Sequence, residues 1–264
     1  MPAIIVCSII LFILCFLAIE SRAALFDIGL TKLLGGNKWY PTEGLFGLQA
    51  VIFGSFASSI LATIIAGFVG FGMAVGGHSL LPKGFFNVIR LSMGILATLP
   101  SVVLGFWGLI VVVPLINIYR PPGASLLAAS FVLSIMILPV VFMILDRKAE
   151  QVLKEFKPTN SALGLRKSTV FLSVLRPILK KTTLVAVVLA MGRAIGETIA
   201  VMMVAGNIIQ IPLSIFDPVR SLPSHIALEM AYAVEAHRSA LFFSGLMLAL
   251  VASALVVLTR KVVD

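Results

Sequence analysis

The sequence predicts an all-α, polytopic membrane protein with six transmembrane helices. Three observations carry that prediction. Of 264 residues, 60% are hydrophobic and only 12% charged, with a mean hydropathy of +1.13, outside the usual mix of soluble domains. Apolar runs long enough to supply the ~20 helical residues that a hydrocarbon core requires recur along the chain. The period-2 alternation of a porin-type strand is absent, and lipid offers backbone groups no hydrogen-bond partner, so the runs are expected to be helices.

The first run, 1–19, contains Cys7 and Cys15, which read as small packing residues and say nothing about compartment. It lacks a basic flank and a small-x-small cleavage site, so an uncleaved helix is the better reading than a signal peptide. The second run, 45–75, carries Gly67, Gly70 and Gly72; the third, 91–118, carries Pro100 and Pro114; the fourth, 124–145, carries Pro139. Small residues permit close helix contact, and neighbouring helices satisfy the backbone groups that proline frees. The fifth run, 182–206, encloses Arg193 and Glu197, and the sixth is 240–258. No internal repeat or low-complexity tract emerges, which argues against two inverted halves.

Charge sets the sidedness. Net charge is +9 with a pI near 9.9, but the basic residues are grouped by side of the membrane and form no aromatic-laced patch, so nucleic acid is excluded as a partner. The segment 146–181 holds nine of the twenty Lys and Arg against Asp146, Glu150 and Glu155. By the positive-inside rule it faces the cytoplasm, as do Lys83, Arg90 and the tail Arg260-Lys261. Loops 20–44 and 207–238 are nearly balanced and fall outside, leaving both termini cytoplasmic.

Within 146–181 the stretch Pro158-Thr-Asn-Ser161 reads as a break and helix start, with Asn160 or Ser161 as N-cap of an amphipathic helix over 162–175. Such a helix suits lipid headgroups or a partner's groove equally. Gly164-Leu-Arg-Lys-Ser-Thr169 lacks the first glycine and the Gly-Lys pair of a P-loop, and no strand precedes it, so nucleotide binding is rejected.

A charge at mid-bilayer costs ~2.5–3.5 kcal/mol and is expected to face a partner, a bundle interior or water. In a continuous helix Arg193 and Glu197, at i and i+4, stack on one face within reach of an ion pair, beside the small-xxx-small pair Gly192 and Gly196. Two readings stand. The pair is a structural clasp, or Arg193 lines a translocation path, its planar fork taking oxyanions while Glu197 holds it in their absence.

At these residues the sequence resembles a known family. Met191-Gly-Arg-Ala-Ile-Gly-Glu-Thr-Ile-Ala-Val-Met-Met-Val-Ala-Gly-Asn207 is similar to the fifth-helix signature of phosphate ABC transporter permeases of the PstC type. The stretches LPSVVLGFWGLIVVVPLI from Leu99, PPGASLLAASFVLSIMILP from Pro121 and FDPVRSLPSHIALEMAYAVEAHRSALFFSGL from Phe216 extend the likeness, in the family's order, from about Leu61 to the end. The resemblance implies a type I, MetI-like permease fold, with a first helix and outer loop at 1–44 and a core at 45–264. It implies a homologous second permease, a dimer of ATP-binding subunits and a periplasmic or extracellular phosphate-binding protein as partners, in a bacterial inner membrane. It also implies that Arg193 and Glu197 act in phosphate translocation.

The same family docks its ATPase through a cytoplasmic loop whose pattern runs Glu-Ala-Ala, three residues, Gly, nine residues, Ile-x-Leu-Pro. Gly164 and Pro177 keep that spacing and Val174 takes the Ile position, placing the ATPase-coupling loop at Asn160, Ala162, Gly164, Val174 and Pro177. Pro158-Thr159-Asn160 replaces Glu-Ala-Ala, Arg176 stands where Leu is usual, and Gly76-Gly-His-Ser79 stands where an acid is frequent. These departures keep open a non-transporting signalling or scaffold homologue, and one fixed cation leaves open another tetrahedral oxyanion.

The three histidines have no metal-ligand spacing, and no nucleophile, base and orienter occur together, so the chain is expected to be no enzyme and to hold no cofactor or metal. His225 and Glu229, at i and i+4, read as a solvated face of a short helix. Asp217, Arg220, Glu229 and Glu235 are candidates to meet the binding protein. An autonomous anion channel or secondary transporter finds no support in repeats or in further intramembrane charges.

Overall fold

A computed structural model describes residues 2–164 and 167–263, with side-chain surroundings described except at 2–3, 79, 157–163, 167–168, 171–172 and 260–263. Helix α1 (Pro2–Glu20) is followed by a π-helical turn (Ala24–Gly29) and α2 (Leu30–Gly35). A small antiparallel ribbon pairs β1 (Trp39–Tyr40) with β2 (Leu45–Phe46), Trp39 opposite Phe46. Then come α3 (Gln49–Ser79), α4 (Lys83–Thr98), α5 (Ser101–Trp107), a π turn (Gly108–Val112) and α6 (Val113–Tyr119). The rest is α7 (Leu126–Leu163), α8 (Lys167–Val170), a π turn (Phe171–Leu175), α9 (Arg176–Ile195), α10 (Ile199–Val204), α11 (Leu222–Glu229) and α12 (Glu235–Val263).

Among the described residues four helical stretches are long and apolar enough to cross a membrane: Gln49–His78, Ser101–Tyr119, Leu126–Phe156 and Glu235–Thr259. The pair Ile4–Glu20 and Ala24–Gly35, bent by 46°, makes a fifth if it is one span. Helix α9, expected within the fifth run, carries Arg176, Lys180, Lys181 and Arg193 in twenty residues and is not among them.

Several expected boundaries move. The third run, 91–118, is cut because Leu99, before Pro100, takes extended backbone (φ −66°, ψ 132°); the proline ring disfavours helical geometry in its predecessor. Residues 91–98 therefore belong to α4. In the fourth, α7 runs 38 residues, past Asp146 and through 158–161 without the expected break. It stops where Gly164 adopts φ +59°, a left-handed conformation that costs glycine little. The amphipathic helix expected at 162–175 accordingly begins at Lys167, as α8 and a π turn.

The chain forms two compact units, each discontinuous in sequence. The first comprises Met1–Ser58, Gly105–Ala129 and Ile195–Ala254. Its core gathers Leu33, Trp39, Phe46, Leu48, Leu241 and Phe243. Ser239 Oγ accepts from the Ala24 N–H (2.9 Å) and donates to the Glu20 carbonyl (2.8 Å), tying the bend after α1 to α12. The second unit comprises Ser59–Leu104, Ser130–Ala194 and Leu255–Asp264. Here Gly70 lets α3 lie against α7: a Cβ at that position would stand 2.8 Å from Val141 Cγ1.

Candidate functional site

The fifth apolar run is not one helix. Helix α9 ends at Ile195, residues 196–198 leave helical hydrogen bonding, and α10 begins at Ile199. The single helix that the expected stacking of Arg193 on Glu197 requires is therefore interrupted, and among the described residues neither side chain enters an ion pair. Each instead sits at the end of its own helix. Arg193, exposed, lies in the last turn of α9, where open carbonyls favour a cation. Glu197, half-buried, accepts the Ala200 N–H at Oε1 (3.2 Å) and so caps α10. The break is fastened within the first unit: Ser224 Oγ donates to the Thr198 carbonyl (3.2 Å), and Ser55 Oγ accepts from the Leu222 N–H (2.6 Å).

The first unit also holds a charged cluster that the sequence did not announce. Glu229, 6% exposed, is its centre. Its Oε2 accepts the Trp39 indole N–H (2.7 Å) and lies 2.9 Å from His237 Nε2, while Oε1 accepts from Arg220 Nη1 (2.6 Å). Arg220 Nε also donates to the Asn207 carbonyl (2.8 Å). Burial pushes the Glu229 carboxyl up, but His225, the Trp39 and His237 hydrogen bonds and the Arg220 guanidinium together hold it below the ordinary carboxylate range. His225 is fully buried, with its ring centroid 4.3 Å from that of Trp39. Burial lowers it to about 4 despite the pull of Glu229, aided by Arg220 and His237. The ring is thus neutral at pH 7.

This cluster corrects the solvated face expected of α11 and shows the surroundings of the residues expected to meet a binding protein. His225 and Glu229 do share one face of α11, but that face packs against the Trp39 ribbon instead of water. Arg220 and Glu229 spend their charges on each other, and Asp217 Oδ2 accepts the Leu213 and Ser214 N–H groups (2.8 Å each), bracing its own loop. Of the four proposed contact residues, Glu235 alone is exposed. The ribbon residue Trp39 was missed, because nothing local in Trp39-Tyr-Pro-Thr-Glu-Gly44 points to a partner 190 positions away.

A second carboxylate organises the second unit. Asp146 Oδ1 accepts from His78 Nε2 (2.8 Å) and Arg90 Nη2 (2.8 Å), and Arg90 Nε stands 2.8 Å from Oδ2. Arg90 also covers the Phe86 ring at 4.7 Å and reaches Glu150 (3.4 Å). The clasp joins α3, α4 and α7, with His78 occupying the stretch where the resembling family often has an acid. Of the coupling-loop residues, Asn160 and Ala162 lie in the last turns of α7, their side chains outside the described set. Gly164 ends that helix, Val174 is in the π turn and exposed Pro177 opens α9.

These features describe a polytopic α-helical membrane protein. In fold it is similar to a chain of the inward-facing MetNI methionine ABC transporter, with TM-score 0.65 at 13% identity over 86% of this chain and 98% of that one. No protein-family model matches. Curated relatives are closer in sequence. The phosphate transport system permease protein PstC of Xylella fastidiosa (strain 9a5c) is 30% identical over 245 residues, 85% of this chain and 76% of that protein. The probable ABC transporter permease protein YqgH of Bacillus subtilis is 35% identical over 235 residues, 87% of this chain and 76% of that one. The chain belongs to the PstC family of phosphate transport system permeases.

Proposed function

We propose that the chain is the membrane-spanning permease subunit of an ATP-driven importer that carries inorganic phosphate across the cytoplasmic membrane. What carries the reading is the likeness to proteins named phosphate transport permeases, sustained over 85% of the chain. The arrangement at the α9–α10 break supports it. Arg193 is exposed and free of any carboxylate partner among the described residues, and a guanidinium can take two oxygens of a tetrahedral oxyanion at once. In this proposal Arg193 meets phosphate, Glu197 positions the break, and 45–264 forms the permease core. A homologous permease completes the path, paired ATP-binding subunits engage 146–181 through Asn160, Ala162, Gly164, Val174 and Pro177, and a binding protein delivers phosphate from outside. Both termini lie in the cytoplasm.

Radiolabelled phosphate uptake in cells carrying Arg193→Ala, with pull-down of the ATP-binding subunit, tests this. Lost uptake with intact assembly is the expected outcome; unchanged uptake overturns the assignment. One observation favours a second reading, a non-transporting scaffold or signalling homologue: Pro158-Thr159-Asn160 replaces the usual docking residues, and α7 continues through them. That reading predicts assembly without uptake in the unmodified protein. Transport of a different tetrahedral oxyanion predicts uptake of that anion and not of phosphate.

A further inference from the structure

Within the second unit, α3 and α9 line an open groove of about 530 Å³, well inside the ~300–1,000 Å³ range of small-ligand sites. Its body is apolar, built from Ile60, Ile64, Phe68, Phe71, Val187 and Met191. The hydroxyls of Thr63 and Thr183 also line it, but they donate to the Ser59 and Leu179 carbonyls of their own helices (2.6 and 2.7 Å), so they demand nothing from an occupant. Phe68 is 78% exposed. One end differs: Arg176 and Lys180 stand there. A second hollow of about 730 Å³ shares Lys180, Thr183 and Val187 with the first and adds Lys181. Among the described residues none of these three cations enters an ion pair.

Dimensions narrow the class of occupant. From Lys180 to Met191 is eleven residues of α9, ~17 Å at 1.5 Å per residue, against ~15 Å for half of a ~30 Å hydrocarbon core. With α9 set across the bilayer as the sequence reading expects, the groove is about one lipid leaflet deep and its cations stand at the headgroups on the Lys- and Arg-rich side. An oily trough one leaflet deep, closed at the headgroup end by unpaired cations, complements an amphiphile with an anionic head. We propose that the α3–α9 groove is a binding site for an anionic phospholipid, its phosphodiester head on Arg176, Lys180 and Lys181 and an acyl chain along the groove. The proposal rests on the membrane reading of the fold and is independent of which solute the protein carries.

The test uses the full chain purified in detergent, stripped of lipid and titrated with phosphatidylglycerol or phosphatidylcholine of identical chains, bound lipid being counted by native mass spectrometry. Phosphatidylglycerol is expected to bind at least roughly ten-fold more tightly, each basic group near a headgroup contributing. The surface variant Arg176→Gln/Lys180→Gln/Lys181→Gln should abolish that preference, and Val187→Trp, which obstructs the groove, should weaken both lipids. Equal binding of the two lipids, or a preference that survives the triple substitution, overturns the proposal. Displacement of phosphatidylglycerol by millimolar inorganic phosphate also overturns it, since the site would then take the free anion. So would quantitative cross-linking of Phe68→Cys, in a background lacking Cys7 and Cys15, to a partner permease in the assembled complex, because protein would then fill the trough.

Discussion

Glu229 shows how much one carboxylate can organise. Its two oxygens meet an indole, a guanidinium and an imidazole, while a second imidazole, His225, is packed so tightly that it stays neutral. Arg220 Nη1 stands 3.5 Å from His225 Nδ1, a contact compatible with an uncharged ring. Because the folded-state value of His225 is depressed from 6.5 to about 4, the unfolded chain binds the extra proton first as pH falls. The contribution is complete above about pH 6.5 and drains away toward pH 4, on the order of 3 kcal/mol in all. Glu229, also held low, loses its contribution in the same direction, as pH drops through its folded value. Acidification from pH 7.5 to 4.5 is therefore expected to lower thermal stability and alter Trp39 fluorescence, measured in a Trp107→Phe background. His225→Phe should flatten the part of that response between pH 6.5 and 4.5.

At the scale of elements, the break between α9 and α10 divides local from tertiary information. The run 182–206 is apolar enough to conceal a stop, yet the signs are present: Gly196 ends the helix-forming stretch, and Glu197 can cap the next one. Read together they give two helix ends, each with the charge it favours, in place of one helix with a buried pair. Glu197→Ala is expected to cost ~1 kcal/mol by uncapping α10, read as a lowered melting temperature in detergent. Glu197→Gln keeps an acceptor and should recover most of it. Uptake lost in the Gln variant with stability preserved would assign the carboxylate's charge to transport. The cut at Leu99 was legible in Pro100, by the steric rule for pre-proline residues. The continuity of α7 through Pro158 was not, because Pro158, Thr159, Asn160 and Ser161 are all unfavourable in a helix interior and point to a break, yet the helix continues to Gly164.

Across the whole molecule, composition and hydropathy already fix the class, since no soluble all-α domain would leave so much apolar surface open. Charge pairing is a different matter. Asp146 gathers His78 and Arg90 from helices 68 and 56 positions away, and Glu229 gathers Trp39 from 190 away. No periodicity records such separations. Among the described residues each unit thus has one buried carboxylate holding several elements together. Removing that of the second unit by Asp146→Ala leaves Arg90 and His78 facing a vacancy, and a loss of ~3 kcal/mol is expected, visible as reduced yield and earlier unfolding. Asp146→Asn retains an acceptor and should lose less.

Helix α7 is the longest element, at 38 residues, or ~57 Å at 1.5 Å per residue, nearly twice the ~30 Å thickness of an oily core. From the Asp146 clasp to Leu163 it extends ~26 Å further. From its end at Gly164 back to the clasp α7 is one uninterrupted helix, so that projecting end is joined through His78 and Arg90 to α3 and α4.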